Sequence, residues 1–526
     1  MRVPVIIIVA VSLATGGASG LGDAEVQFTN VTSEVFSFPV SANTQSVSLA
    51  DVDNDGDLDL LYQGNVSGTP GRRFYRNQLR PSGLLSFVDE TANGPLANDT
   101  TGWSAAWADV NGDGFVDVFL GQSNTGPGVA GDLFFNQGGT GFTDVSATTI
   151  NDPGFHQNVA WVDMNNDELL DLLFGMEGPE KHELYLQGPG LTFTPVGEQV
   201  GIQIPFGTKS YGMAVGDADN DGDMDFYIST CRAGGDIRNN FFRNNLIGTG
   251  TLDFTDVADE NGTQYLGNSY HAEFQDFDDD GWLDLFMVGA DGNPSKIWRN
   301  NQDGTFTDVD TLLGRAVFST NGGDLNGGKA VDYDNDGDLD IFFHDHTHNS
   351  QINTARYLFR NDGNWNFVDV TSQVGLFNTQ ERAYDSAWGD VDLDGDMDLV
   401  TAAQGGYTKR IFLSNAAESS NAWSQIRLTG AAWNTRAVGA TVYATIHKGT
   451  PNERRLMRLA NTNAGTFNQS DLPVHFGLGS ATMIDELEVH WTASTVEKFY
   501  NLPVNEYLFI TQGLGEIDVF DGWAMY

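Results

Sequence analysis

The chain has 526 residues, with 26 Lys plus Arg against 72 Asp plus Glu, a formal net charge of −46. That length is ample for a large core or two domains, and the 34 Phe and 11 Trp argue against wholesale disorder. Too few cations are present to neutralise phosphates, which argues against a nucleic-acid partner, and an anionic membrane would repel the surface unless bound divalent cations changed the balance. The single cysteine, Cys231, excludes an intrachain disulfide framework and any Cys-cluster metal site. It reads as a buried strand residue beside Tyr227 and Ile228.

In chain order, the basic start Met1–Arg2, the apolar run VPVIIIVAVSLA and the small residues GGASG read as a secretory signal peptide over residues 1–20. The apolar run is short for a spanning helix. The mature chain is expected to be secreted, at the cell surface or extracellular (periplasmic in a Gram-negative host), with no membrane span after signal cleavage.

Seven acidic loops follow, starting at Asp51, Asp109, Asp163, Asp217, Asp276, Asp332 and Asp390, at separations of 58, 54, 54, 59, 56 and 58 residues. Such a period points to a solenoid or a propeller. Each repeat has the same order. A short alternating run precedes the loop, and runs such as LDLLY or VDVFL follow it. Next comes a run such as LFFN, FFRN or IWRN, then a Gly/Asn turn and a last run such as FTDV. Four short strands per repeat without helical periodicity describe a propeller blade. The seventh repeat ends at Ile411–Asn415 without its last strand, and VQFTNVTS at Val26–Ser33 precedes the first repeat. The N-terminal strand is therefore expected to complete the last blade, giving an all-β, seven-bladed propeller over residues 21–416. From residue 417 to 513 the acidic loop is absent, and runs such as GATVYATIHK and IDELEVHW suggest a small β-sandwich or barrel-like domain. Residues 514–526 read as a C-terminal extension.

In a DxDxDGxxD loop the side chains at positions 1, 3, 5 and 9 can converge on one ion. Glycine at position 6 permits the turn, and a backbone carbonyl near position 7 adds an oxygen. Hard oxygen ligands on such a loop suit calcium better than softer metals. The expected ligands are Asp51, Asp53, Asp55 and Asp59 in loop 1, Asp109, Asn111, Asp113 and Asp117 in loop 2, and Asp163, Asn165, Asp167 and Asp171 in loop 3. Loop 4 contributes Asp217, Asp219, Asp221 and Asp225, and loop 5 contributes Asp276, Asp278, Asp280 and Asp284. Asp332, Asp334, Asp336 and Asp340 belong to loop 6, and Asp390, Asp392, Asp394 and Asp398 to loop 7. About five to seven structural Ca2+ ions are expected from this pattern. Loop 3 is the weakest, because Glu168 replaces the turn glycine.

The strand before each loop begins its blade and is expected to line the central channel. Six residues before each first Asp lie Gln45, Trp103, Gln157, Tyr211, Tyr270, Asn326 and Tyr384, with His271 next to Tyr270. This aromatic and amide set is a possible ligand rim suited to sugars or protein loops. His344, His346 and His348 alternate and offer a possible transition-metal site, and His156 and His271 are possible general bases. Glycine-rich phosphate loops, HExxH and GxSxG are absent, and no acid–base pair separates from the loop carboxylates.

The propeller repeats resemble FG-GAP/VCBS repeat proteins, including integrin-α-like propellers, and the resemblance implies calcium at positions 1, 3, 5 and 9. RAVGATV at Arg436–Val442, HFGLG at His475–Gly479 and IDELEVHW at Ile484–Trp491 resemble the ASPIC/UnbV domain. Together they look like the bacterial relatives of cartilage acidic protein. The reading favours a non-catalytic binding or adhesion module for an extracellular protein or glycan. The alternatives are a carbohydrate-active or other hydrolytic enzyme at the propeller mouth, and a structural matrix or surface-layer component.

Overall fold

The computed structural model describes residues 26–520 apart from 37–43, 65–71, 92–101, 123–130, 151–154, 178–181, 203–208, 232–237, 310–324, 346–355, 378–381, 404–407, 431–432, 463–468, 471–472 and 493–494. The signal segment, His346 and His348 lie outside the described residues. No helix among the described residues is long and apolar enough to cross a membrane.

Seven antiparallel four-stranded sheets precede residue 416. In blade 1 the strands are Ser46–Ala50, Asp59–Gln63, Arg73–Asn77 and Phe87–Asp89, paired in sequence order. The innermost strands of the others are Gly102–Ala108, Phe155–Val162, Ser210–Gly216, Ser269–Gln275, Leu325–Val331 and Asp385–Gly389. Each innermost strand lies against the next, and the last lies against the first, so the ring closes. Blade 7 borrows its outer strand from the N-terminus: Thr29 pairs with Leu413 and Asn30 with Phe412. Strands buried on both faces alternate less than half-buried ones, which explains runs such as Asp59–Gln63, where every residue is buried.

One residue type ties each blade together internally and a second joins it to its neighbour. The position-9 Asp is buried in every loop, and both its oxygens accept backbone N–H groups. Asp284 accepts Phe277 N–H at 3.1 Å and Asn300 N–H at 2.8 Å. The residue at the end of the third strand reaches the neighbouring blade. The Asn300 amide donates to Leu283 O in its own blade and to Ala218 O in the previous one, and Asn136 does the same to Val116 O and Val52 O. Blade 1 is joined in this way to blade 7 through Asn77 and Val391 O.

After residue 416 two further sheets form a sandwich. One has Val474–Gly479, Ala422–Thr429, Glu506–Thr511 and Ile517–Phe520 in that order, with its middle pair parallel. The other has Arg454–Leu459, Thr441–Ile446, Ile484–His490 and Val496–Leu502. Ile426, Val442, Leu456, Phe476, Leu487 and Leu508 fill the space between them. The segment read as an extension is corrected here: Ile517–Phe520 pairs with Glu506–Thr511 as an edge strand, because its alternating apolar residues continue the sheet.

Replacing Asn300 by Ala leaves two buried carbonyls without a donor, so the expected loss is about 1–3 kcal/mol. A lowered urea midpoint at unchanged slope, compared with the wild-type chain, checks it.

Candidate functional site

The loops share one geometry. Position 4 takes a left-handed conformation in every loop, which suits the Asn, Gly or Asp at most of these positions and is costlier for Leu393. The N–H at position 6 donates to the position-1 carboxylate, as from Gly56 to Asp51 Oδ2 at 3.1 Å and from Gly281 to Asp276 Oδ2 at 3.0 Å. Glu168 makes the same bond to Asp163 at 2.8 Å, but with φ at 68°. The irregular loop therefore keeps the turn at a backbone cost.

Five loops bring three carboxylates within 4.8 Å of one another: Asp51/Asp53/Asp55, Asp217/Asp219/Asp225, Asp276/Asp278/Asp284, Asp332/Asp334/Asp336 and Asp390/Asp392/Asp398. Asn111 and Asn165 remove one carboxylate from loops 2 and 3, which form no such group among the described residues. Asn165 instead donates to Asp167 at 3.0 Å. Inside the acidic groups Asp51, Asp53, Asp219, Asp278, Asp332, Asp334 and Asp392 each hold a buried Oδ1 with no hydrogen-bond partner. Orphaned carboxylate oxygens beside like charges are costly, and a hard divalent cation is the group that relieves both costs. The donor set fits one.

Sequence reasoning supplied only a backbone oxygen at position 7. The structure adds side chains there: Asp57, Asp223 and Asp396 are buried, each with one oxygen unpartnered and the other accepting a backbone N–H from residues 80, 247 and 417. The DGD triplet is the signal that could have revealed them. Arginine ending the third run is another internal element. Arg76 Nη1 lies 2.9 Å from Asp53 and 3.1 Å from Asp59, and Arg299 Nε lies 2.8 Å from Asp278.

The sandwich sits on the acidic loops, and two of the three motifs that mark it make contacts there. In RAVGATV, Arg436 donates to Asn54 and to Gly114 O. In HFGLG, Gly477 N–H donates to Asp332 Oδ2 at 3.1 Å, Gly479 N–H to Asn335 O at 2.9 Å, and His475 Nε2 lies 2.8 Å from Asn335 Oδ1. A Cβ at Gly477 would overlap the Asp332 carboxylate and the Asn335 backbone. Arg427 pairs with Asp51 Oδ2 at 3.1 Å, Arg454 bridges Asp279 and Asp338, Thr435 donates to Asp109 Oδ2, and Tyr507 donates to Asp390 Oδ2. The sandwich thus holds the Oδ2 side of position-1 carboxylates whose Oδ1 atoms, in Asp51 and Asp332, are orphaned.

One sandwich segment enters the channel. Asn461 donates to Val215 O. Thr462 exchanges hydrogen bonds with both backbone groups of Trp161. Gln469 receives the Trp107 and Leu49 N–H groups, and Ser470 receives that of Trp388. These partners come from five innermost strands, so the sandwich is bonded to this end of the channel on most sides.

The aligned rim residues lie at the opposite end. Strand register slips at Trp103, Gln157, Tyr211, Tyr270 and Asn326. In blades 1 and 7, Gln45 and Tyr384 donate to carbonyls whose residues already pair with Ser46 and Asp385. A bulge at the same place in every blade re-aims one side chain from the sheet toward the channel. Trp103 meets Tyr384 at 5.9 Å between centroids, and Tyr211 meets Tyr270 at 4.6 Å edge-on. Trp103, Tyr211 and Tyr384 are half-buried, whereas Gln157, Tyr270 and Asn326 are buried, and Asn326 donates to Tyr384 O. His271 does not belong to the rim. It is buried beside Phe286, 3.7 Å from Glu273, because it lies past the bulge and faces the neighbouring blade. His156 packs against Phe174 in the same way, and His344 is buried against Asn326.

Family models match residues 430–517 as ASPIC and UnbV, and residues 109–174, 276–343 and 332–401 as the FG-GAP-like repeat. The chain carries FG-GAP-like repeats and an ASPIC/UnbV domain. Cartilage acidic protein 1 of Mus musculus is 27% identical over 230 residues, covering 42% of this chain and 34% of that protein. Its Homo sapiens counterpart is 25% identical over 225 residues, covering 42% and 33%. The match thus spans about a third of the length of these curated relatives. An Agrocybe aegerita lectin that recognises non-reducing terminal N-acetylglucosamine aligns over 64% of this chain and 82% of its own at 19% identity, with a TM-score of 0.41.

Without a cation, burial pushes the carboxyls of Asp217, Asp276 and Asp392 up to about 7, with neighbouring carboxylates adding to the rise. Between the ordinary carboxylate range and about pH 7 the folded protein then holds more protons than the unfolded chain, so its stability falls as pH rises. In chelator the unfolding temperature is expected to be higher at pH 5 than at pH 7.5, and saturating divalent cation should shrink or reverse that order in the same calorimetric scans.

Proposed function

We propose that the protein is a secreted, calcium-stabilised, non-catalytic binding or adhesion module that engages an extracellular protein or glycan at the channel end remote from the ASPIC/UnbV domain. The observation that carries this reading is the division of the channel: sandwich side chains hydrogen-bond to the innermost strands at one end, and the bulged aromatic and amide residues lie at the other. An innermost strand of seven residues separates the ends by about 20 Å. Tryptophan and tyrosine offer broad apolar faces at low entropic cost, which suits sugars and protein loops alike. The orphaned oxygens in five acidic groups support calcium as the structural ion. Its flexible shell tolerates carboxylates of unequal reach, whereas magnesium demands a tighter octahedron.

Calorimetric unfolding with calcium, magnesium and chelator, alongside bound-metal stoichiometry, tests the metal half. Several calcium ions per chain and a large calcium-specific rise in melting temperature are expected, and no shift would sink it. Asp334→Ala should lower the melting temperature in calcium yet barely change it in chelator. Trp103→Ala combined with Tyr384→Ala should abolish binding of whatever partner emerges from glycan and protein screens in calcium, with the melting temperature held. Retained binding would remove the rim from the reading.

A further inference from the structure

The sandwich contacts the acidic loops unevenly. Loops 1, 2, 6 and 7 each receive a donor on the position-1 carboxylate, from Arg427, Thr435, Gly477 and Tyr507. Loop 5 receives Arg454 at Asp279. Among the described residues, no hydrogen bond or ion pair joins the sandwich to loop 3 or loop 4. Over those two loops lies a cavity of about 320 Å³ instead.

Its two walls differ in chemistry. The propeller side presents the carboxylates of Asp163, Asp217 and Asp221, and the sandwich side presents Tyr443, Met457 and Trp491. Loop 4 carries carboxylates at positions 1, 3, 5, 7 and 9, so one divalent ion bound there leaves its net charge negative. On the sandwich side, Arg455 stacks on Tyr443 at 3.6 Å and pairs with Glu488 at 3.4 Å, and His490 of the cavity wall lies 3.4 Å from the same Glu488, so both groups are already engaged. A second feature is independent of the acidic loops. Trp491 is 4% exposed, lines the cavity, and its indole N–H has no hydrogen-bond partner. A buried donor without an acceptor costs free energy that a ligand carbonyl would recover.

We infer that this interdomain cavity is a binding site for a basic side chain, an arginine or lysine of a partner polypeptide. The cationic head meets Asp217 and Asp221, the aliphatic stem packs on Met457 and Tyr443, and a peptide carbonyl accepts the Trp491 N–H. The protein itself shows the recognition mode, since Arg427 places its guanidinium on Asp51, the counterpart of Asp217 in blade 1. The planar guanidinium, with its fork of donors, matches a carboxylate better than a neutral amide of the same shape does.

The test is titration calorimetry of the full calcium-loaded chain with the peptide Gly-Arg-Gly and with its neutral isostere Gly-citrulline-Gly. The arginine peptide is expected to bind one site at least tenfold more tightly, and to weaken as salt rises. Thr492→Arg places an internal guanidinium at the cavity wall and should abolish peptide binding without lowering the melting temperature. Thr495→Lys, on the exposed side of the same cavity, serves if the first variant does not fold. Trp103→Ala should leave the arginine peptide unaffected, which separates this site from the channel rim. Equal binding of the two peptides, or full binding by a folded Thr492→Arg or Thr495→Lys variant, overturns the inference.

Discussion

The position-1 aspartate of each acidic loop is the point on which the rest depends. Its carboxylate faces two ways: one oxygen toward the loop interior, orphaned in Asp51 and Asp332, and the other toward the position-6 N–H and, in loops 1, 2, 6 and 7, a donor from the sandwich. A chain with a net charge of −46 cannot assemble so many carboxylates on one face without positive charge from somewhere. Here the supply is divided between arginines of the second domain, on Asp51, Asp279 and Asp338, and the cation the loop geometry fits. Two ligands that hold the same carboxylate in one orientation favour each other, and by linkage each must raise the affinity of the other by the same factor.

Much of this was legible in the residue order, and the parts that were not have physical reasons. Repeat length, strand order and the displaced outer strand followed from periodicity, because each blade must bury both faces of the same four short segments. The Asp/Gly pattern gave the loops; Asn111 and Asn165 were read as ligands, and the structure shows that they leave loops 2 and 3 without a three-carboxylate group among the described residues. The role of Arg436, His475 and Gly477 was not readable, since their partners lie far away in sequence and only the docked arrangement brings them together. Alignment also found the rim positions but misassigned His271. Strand periodicity places neighbours on opposite faces, and the bulge at Tyr270 decides which face meets the channel. The edge strand Ile517–Phe520 was missed because a four-residue strand after a Gly-rich turn looks like a tail.

The two ends of the channel differ because they are made by different parts of the repeat. At the loop end every blade has the same nine-residue template, so one domain can seat on most of the ring at once. At the bulge end each blade contributes a different side chain at an equivalent backbone position, which gives a shared scaffold with varied chemistry. Rigid strands carrying variable residues at one rim are the arrangement on which the proposed recognition rests, whereas the repeated end seats the second domain.

The borrowed outer strand has a consequence for how the molecule is made. Thr29 and Asn30 leave the ribosome before any other blade strand, yet their partners at Phe412 and Leu413 come nearly four hundred residues later. During synthesis the blades can form only as an open row, with the first and last exposing unpaired edges. Ring closure is therefore a late, long-range event with a high loop-closure cost, and the sandwich, encoded last, can seat only on a face that closure has completed. Chain order alone thus sets a timetable in which the seal comes before the cap.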